Sequence, residues 1–214
     1  YKEKAALDSV VQRVKAIKEY VQLFDKAFGK GDAVTAENMT KALALFEGTL
    51  LANNSPFDRY IRGDKTAMTE YQIHGMKVFI KNGCARCHNG PMLSDYKLHV
   101  LSVPENEKLN ADDLGAQDTY AFRTPSLRNL KFTWPYFHNG TSYDLNDAVD
   151  FYRTLSNGLS GNPKLTYKQI DPLARAIIPN AVPEIVAFLD ALNDDNFDKK
   201  VPASVPSKLP VGGF

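Results

Sequence analysis

One five-residue string in the sequence has residue types and a spacing that could do chemistry: Cys84-Ala85-Arg86-Cys87-His88. In a CxxCH string the two thiols add across the vinyl groups of haem and form thioether bonds. The two intervening residues let one turn of chain present both sulfurs to the same porphyrin edge, and the histidine then lies under the iron. The string therefore predicts haem c, held covalently by Cys84 and Cys87 and ligated by His88.

Three other interpretations of the string compete with haem. A redox-active CxxC pair usually belongs to a βαβ unit, whereas this chain has helical patterns. The cysteines and His88 could bind zinc with a fourth ligand from His74, His99 or His138. Zinc sites usually separate two ligand pairs by a loop, and no second pair follows here. Chance is the third alternative, and the specificity of the five-residue pattern favours haem over all three.

The sixth ligand of the iron decides what the haem does. A methionine raises the reduction potential and favours electron transfer, whereas an open or oxygen-ligated iron favours chemistry. Met92, the last methionine, follows His88 too closely in the chain to reach the opposite haem face easily. The downstream half offers His99, His138 and several tyrosines instead. Tyr152 is the tyrosine candidate, with an ordinary core tyrosine as the alternative.

Helical patterns dominate the first third of the chain. Apolar residues recur at helical spacing from Val10 to Phe28, and Gly29 ends that predicted helix. Thr35 is the predicted N-cap of the next helix. The polar segment 53–56 then breaks the pattern.

Further helices are predicted on both sides of a long irregular segment. Thr69 and Gln72 form a capping box that opens a short helix ending directly before the cysteines. Residues 89–143 show no long period, and a loop region of this length is usually functional or wraps around something. Asp144 caps a helix that carries the tyrosine candidate on its apolar stripe, and a last helix is predicted near 183–193. No strong strand pattern emerges.

Composition is that of an ordinary globular protein. Of 214 residues, 43% are hydrophobic and 24% charged, and the net charge of +1 does not indicate nucleic acid or acidic lipid as a partner. No apolar run approaches the roughly 20 residues that span a bilayer. The polar opening Tyr1-Lys2-Glu3-Lys4 is not a signal peptide, although a mature exported protein would look the same.

Four longer strings extend the evidence beyond CxxCH. They are Asn54-Ser55-Pro56-Phe57-Asp58-Arg59-Tyr60, Gly83-Cys84-Ala85-Arg86-Cys87-His88-Asn89-Gly90, Phe122-Arg123-Thr124-Pro125-Ser126-Leu127-Arg128-Asn129 and Trp134-Pro135-Tyr136-Phe137-His138-Asn139-Gly140. In order and spacing they resemble the bacterial di-haem cytochrome c peroxidase and MauG family, over most of residues 10–195. Together they are far more specific than the CxxCH string alone.

The resemblance implies an all-α fold with a cytochrome-c-like haem domain and long irregular loops. We expect residues 1–65 to be the helical end of the first peroxidase domain, 66–200 the haem domain and 201–214 an extended tail. The family has two haem domains with calcium between them, whereas this chain has a single CxxCH. The first-domain haem motif, the catalytic glutamate and the tryptophan between the haems should therefore lie before Tyr1, unless this is a one-haem relative.

The resemblance also suggests how the iron and a calcium ion are bound. Cys84, Cys87 and His88 match the second-domain haem. Tyr152 matches the position at which peroxidases of the family place a methionine ligand and MauG-like enzymes a tyrosine, so it becomes the favoured second ligand of the iron. The carbonyl oxygens of Thr133 and Pro135 match calcium ligands, and such oxygens suit a hard cation.

Other polar residues of the matching strings receive weaker assignments. Arg123 and Arg128 could bind haem propionates, because a guanidinium fork suits a carboxylate. An ordinary ion pair is an equally good interpretation of both. His138 is expected to form hydrogen bonds near the domain interface, and His74 and His99 are expected on the surface.

The implied function is that of a haem-dependent, peroxidase-type oxidoreductase. Hydrogen peroxide would react at the first-domain haem, outside this chain, while the haem at Cys84 and Cys87 relays or stores oxidising equivalents. Expected partners are peroxide, a small redox protein or a protein substrate, the first haem domain and, as a candidate, a second copy of the chain. The alternative is a single-haem cytochrome that carries electrons. A periplasmic location is expected, because bacteria attach haem to CxxCH outside the cytoplasmic membrane.

Overall fold

The computed structural model describes residues 3–196 and 200–211. Within these residues it is mostly helical with many loops, as predicted. The helices are α1 (Glu3–Lys15), α2 (Lys18–Phe28), α3 (Ala36–Glu47), α4 (Pro56–Ile61), α5 (Glu70–Lys81), α6 (Leu145–Ser156), α7 (Pro172–Arg175) and α8 (Val182–Asp190). Two short strands that the sequence did not predict, β1 (Leu98–Val100) and β2 (Ala121–Arg123), pair antiparallel with His99 opposite Phe122. No helix of the described residues is long and apolar enough to cross a bilayer.

The chain divides into two compact units. One lies within residues 1–51 and 197–214, and the other comprises residues 52–196. The domain limits expected from the resemblance, 1–65, 66–200 and 201–214, stay predictions. The last three residues of that expected tail, 212–214, lie outside the described residues.

One helix prediction for the first unit was wrong. Apolar periodicity predicted a single helix up to Gly29, but α1 ends at Lys15 and α2 begins at Lys18. Ile17 between them has extended backbone, with φ −107° and ψ 108°. Periodicity records where apolar residues fall, and it continues across a break in the backbone hydrogen bonds. The predicted cap of α3 is confirmed, since the Thr35 hydroxyl accepts a hydrogen bond from the Asn38 N–H at 3.1 Å.

Local capping chemistry also sets the helix starts of the second unit. The Thr69 hydroxyl accepts from the Gln72 N–H at 3.2 Å, and the Gln72 side chain accepts from the Thr69 N–H at 3.0 Å. Asp144 caps α6 as predicted, through the N–H groups of the next turn. Helix α4 was missed, because Ser55 is not followed by a long apolar stripe. This short helix is capped by the Ser55 hydroxyl, which accepts a hydrogen bond from the Asp58 N–H at 3.2 Å.

The pair α5 and α8 forms the centre of the second unit. Gly75 lets the two helices approach so closely that a Cβ at this position would lie 1.9 Å from the Glu184 carbonyl oxygen. The rings of Phe79 and Phe188 pack with centroids 5.2 Å apart. The buried cluster around them comprises Met68, Phe79, Leu93, Ile185, Phe188, Leu189, Ala191 and Leu192. The CxxCH string follows α5 directly, so this core anchors it.

Candidate haem-binding site

A single 3-10 turn presents the two cysteines. Gly83 has φ +91°, a conformation that favours glycine, and it leads the chain from α5 into the turn Cys84–Arg86. The His88 N–H donates to the Cys84 carbonyl at 3.0 Å, which places the histidine directly after the turn. Both cysteines are free and half-buried, and burial raises the pKa of each thiol to about 11. They are therefore neutral thiols at pH 7, unlike the thiolates of reactive cysteine pairs.

The His88 ring is oriented by the backbone. Its Nδ1 lies 3.0 Å from the Leu93 carbonyl oxygen, so Nδ1–H donates and Nε2 keeps its lone pair. Burial lowers the pKa of His88, against the raising effect of the Leu93 carbonyl. A neutral imidazole whose other nitrogen is held by a backbone carbonyl is the usual form of a metal-binding histidine.

Cys84, Cys87, His88 and Tyr152 line one cavity of about 560 Å³. This size falls within the range of cofactor sites in proteins. Its wall is largely apolar, with side chains that include Phe79, Leu101, Val103, Phe122, Leu127, Leu130, Phe137, Leu145, Val149, Ile177, Ile185 and Leu189. The predicted covalent attachment points, the proximal ligand and the tyrosine candidate are thus brought together, and the donor set fits a haem.

Tyr152 differs from an ordinary core tyrosine. Buried tyrosine hydroxyls usually find a hydrogen-bond partner, but the Tyr152 hydroxyl makes no hydrogen bond among the described residues. Burial raises its pKa above the ordinary value. All four methionines lie in the described part of the chain and none of them lines the cavity. Tyr152 is therefore better placed than any methionine. His99 and His138 also line the cavity, but both His99 nitrogens are hydrogen-bonded to carboxylates and the His138 ring stacks on Phe122.

The two arginines of the predicted site have different surroundings. Arg128 lines the cavity, but its guanidinium is bound to the Asp58 carboxylate and to the carbonyls of Ala52 and Pro91 at 2.8–3.2 Å. These contacts agree with the interpretation of Arg128 as a member of an ordinary ion pair. Arg123 is exposed, lines the cavity and lies 5.8 Å from the Tyr96 ring centroid, with no carboxylate paired to it among the described residues. A propionate contact stays a prediction and fits Arg123 better than Arg128.

The segment predicted to bind calcium lines the same cavity. Thr133 and Pro135 are both exposed, on either side of Trp134. Among the described residues, no group of three histidine, cysteine or acidic side chains gathers at this segment. A calcium site formed by the carbonyls of Thr133 and Pro135 stays a prediction. His138 stacks on Phe122 with ring centroids 3.6 Å apart.

His99 was expected on the surface, and this prediction was wrong. It is 8% exposed and lies between two carboxylates, with Nε2 3.0 Å from Asp95 and Nδ1 2.7 Å from Asp171. Sequence reasoning missed it because Asp171 is 72 residues away. The Asp95–His99 spacing of four was the one available signal. His74, by contrast, is exposed on α5 as expected.

A second metal interpretation concerns the same histidine. Within the described residues, Cys87, Asp95 and His99 form the group of metal-binding side chains, with ligand atoms within 4.8 Å of one another. Both His99 nitrogens are already hydrogen-bonded to carboxylates, and the group includes neither Cys84 nor His88. The zinc site weighed from the sequence is therefore not assembled.

Comparison with known proteins identifies the family. A family model described as di-haem cytochrome c peroxidase matches residues 2–66. The chain is 36% identical to cytochrome c551 peroxidase of Pseudomonas aeruginosa, over 86% of this chain and 52% of the relative. It is 33% identical to the methylamine utilization protein MauG of Methylorubrum extorquens, over 87% of this chain and 53% of that protein.

A solved structure agrees on the fold. The crystal structure of a MauG-like protein associated with microbial copper homeostasis matches 89% of this chain and 63% of that one, with a TM-score of 0.69 and 22% identity. The chain spans about half the length of the curated relatives it matches. With its CxxCH turn, its cavity and these likenesses, the chain belongs to the di-haem cytochrome c peroxidase and MauG family.

Proposed function

We propose that this chain is the haem c-containing part of a di-haem, peroxidase- or MauG-like oxidoreductase. Hydrogen peroxide would be consumed by the whole protein, and the haem of this chain would relay or store the oxidising equivalents. The observation that carries the proposal is the cavity into which CxxCH and Tyr152 converge. Two named relatives, a cytochrome c551 peroxidase and MauG, support the reaction class.

Each residue of the cavity would have a defined task. Cys84 and Cys87 would bind the porphyrin edge through thioethers, so that the haem is retained in every redox state. His88, held by Leu93, would present Nε2 to the iron in a fixed direction. The apolar wall would exclude water, which strengthens electrostatic effects on the metal. The bound haem supplies one-electron redox chemistry.

Tyr152 selects between two versions of this function. A methionine ligand would give a high reduction potential and suit electron acceptance from a small redox protein. A tyrosinate oxygen carries negative charge and favours oxidised iron over reduced iron, by Coulomb attraction. We therefore favour the MauG-like version, in which oxidising equivalents are held for transfer to a protein substrate.

The remaining partners and the location follow from the same proposal. The peroxide-reacting haem, and with it the catalytic residues, would belong to a first haem domain outside this chain. Calcium would need ligands from that domain beside the carbonyls of Thr133 and Pro135. Because bacteria attach haem to CxxCH outside the cytoplasmic membrane, we place the protein in the periplasm. A homodimer stays a candidate.

The deciding experiment counts haems and identifies the iron ligand. The full gene product would be analysed by intact mass and pyridine haemochrome, and by absorption and EPR spectroscopy on the same sample. We expect two haems per polypeptide, one with a tyrosinate spectrum that is lost in Tyr152→Phe. Tyr71→Phe, an exposed tyrosine on α5, is the matched control and should leave the spectrum unchanged.

The alternative function gives a different result. A single haem with a methionine or bis-histidine spectrum, unaffected by Tyr152→Phe, would indicate an electron carrier and would overturn the proposed oxidoreductase. Two haems with a spectrum insensitive to Tyr152→Phe would keep the peroxidase class and remove the MauG-like version.

A further inference from the structure

Each ring nitrogen of His99 faces a hydrogen-bond acceptor. Nε2 lies 3.0 Å from an Asp95 carboxylate oxygen and Nδ1 lies 2.7 Å from an Asp171 carboxylate oxygen. A neutral imidazole has one N–H, so its second nitrogen would point a lone pair at a carboxylate. Only the imidazolium donates to both partners. The three residues, called here the carboxylate–imidazolium cluster, therefore carry two negative charges and one positive charge.

The remaining oxygens of the two carboxylates also have donors. Asp95 Oδ1 accepts from the Thr124 hydroxyl at 2.7 Å and from the Lys97 N–H at 3.0 Å. Asp171 Oδ1 accepts from the Leu173 N–H at 2.7 Å, at the start of α7. These donors fix both carboxylates in position. The His99 and Asp95 side chains are only 9% and 10% exposed and Asp171 is 21% exposed, so solvent screens the His99–Asp95 pair more weakly than the Asp171 carboxylate.

The cluster adjoins the predicted point of haem attachment. The Asp95 N–H donates to the Cys87 carbonyl at 2.7 Å. The Cys87 sulfur and the ligand atoms of Asp95 and His99 lie within 4.8 Å of one another. His99 and Thr124 also line the cavity. A fixed charge in this place acts on whatever the Cys87 sulfur holds.

We propose that the carboxylate–imidazolium cluster sets the reduction potential of the haem, with His99 as the positioning cation that offsets the two carboxylates. This inference rests on the proposed haem site. A cation near the iron favours the reduced state, and an anion favours the oxidised state. The effect is strong where burial keeps water away. The cluster also ties strand β1, the loop after CxxCH and the start of α7 together on one side chain.

Single and paired substitutions separate the charge from the structure. The midpoint potential of the haem held by Cys84 and Cys87 would be measured by spectroelectrochemical titration of the full gene product at pH 7. His99→Gln removes the cation, and the ratio of reduced to oxidised haem should fall about tenfold, or about 59 mV for a one-electron couple. Asp171→Asn removes an anion while asparagine still caps α7, so the ratio should rise by a similar factor.

Two further variants complete the design. His99→Gln combined with Asp171→Asn restores the net charge of the cluster, and the potential should return close to the original value. His74→Gln makes the same chemical change at an exposed histidine of α5 and should shift nothing. EPR spectra of every sample establish that the iron keeps its ligands, so that a shift reports charge and not ligand loss.

The inference would be overturned if both single variants shifted the midpoint potential in the same direction, or if neither shifted it. A purely structural disturbance gives no reason for the two variants to shift the potential in opposite directions. If His99→Gln does not take up haem, the Asp171→Asn variant alone tests the inference. A midpoint potential above that of the wild type supports the inference, and an unchanged or lowered potential overturns it. A wild-type chain without covalent haem by mass would overturn the proposed function itself. If covalent haem is present and the midpoint potential is the same in the wild type and in every variant, this inference alone is overturned.

Discussion

The guanidinium of Arg128 binds the carboxylate of Asp58 through two hydrogen bonds of 2.8 Å each, across 70 residues of sequence. Both side chains are nearly excluded from water, at 12% and 5% exposure. The same carboxylate accepts from the Ser55 N–H and hydroxyl, so it both caps α4 and holds the arginine beside the cavity. The ion pair therefore links the α4 cap to the loop that forms the cavity wall.

Asp58→Asn should destabilise the chain strongly. The substitution leaves the Arg128 charge buried without a counter-charge, and breaking such a pair typically costs about 3–5 kcal/mol. The free energy of unfolding in urea measures it. Asp150→Asn is the matched control, because Asp150 pairs with Arg153 on the surface with both side chains about half exposed. That change should cost less than about 1 kcal/mol. Equal losses in the two variants would contradict the prediction.

Gly75→Ala should also destabilise the fold, although alanine is normally the better helix former. A Cβ at residue 75 would lie 1.9 Å from the Glu184 carbonyl oxygen, so α5 and α8 would have to separate. Overpacking of this kind typically costs about 1–3 kcal/mol, more than the roughly 0.5–1 kcal/mol that alanine gains in a helix. Thermal unfolding monitored by circular dichroism measures the change. Gly48→Ala, just after α3, has no contact closer than 3.4 Å and should be neutral or stabilising.

Asp95 should make stability depend on pH in the acid range. Burial would raise its pKa, but hydrogen bonds from Lys97, Thr124 and His99 together lower it from 3.8 to about 2. A depressed pKa means that the stabilisation is complete above pH 3.8 and is lost as the pH falls through about 2. The difference amounts to about 2 kcal/mol.

Urea unfolding of the wild type and Asp95→Asn between pH 7 and pH 2 tests this window. The gap in unfolding free energy between the two proteins should be widest above pH 4 and narrow steadily towards pH 2. A gap that stays constant over this range would show that the Asp95 charge is not responsible.

Removing the cysteines one at a time should leave a traceable spectrum. The chain has two cysteines, so each single serine variant can form only one thioether. One vinyl group then stays conjugated with the porphyrin, and the pyridine haemochrome α band should move to longer wavelength. Cys84→Ser together with Cys87→Ser should carry one covalent haem fewer than the wild type by mass in denaturant. An unchanged number of covalent haems in the double variant would exclude the CxxCH attachment.

Local patterns correctly predicted three helix starts that neighbouring residues decide. The caps at Thr35, Thr69 and Asp144 each involve a hydrogen bond within about one helical turn, so a few sequence positions contain the whole interaction. The break at Ile17 was missed for the complementary reason. An apolar stripe can continue through a change of backbone conformation that periodicity does not register.

By itself, the sequence determined which groups can do chemistry in this protein, because CxxCH places two sulfurs and an imidazole within one turn of chain. It also determined the mostly helical fold, through apolar period and caps. Only the tertiary structure decided which distant side chains meet. Asp171 reaches His99 across 72 residues, and Asp58 reaches Arg128 across 70. Burial of a charge depends on such partners, which long-range packing brings together and no local pattern encodes.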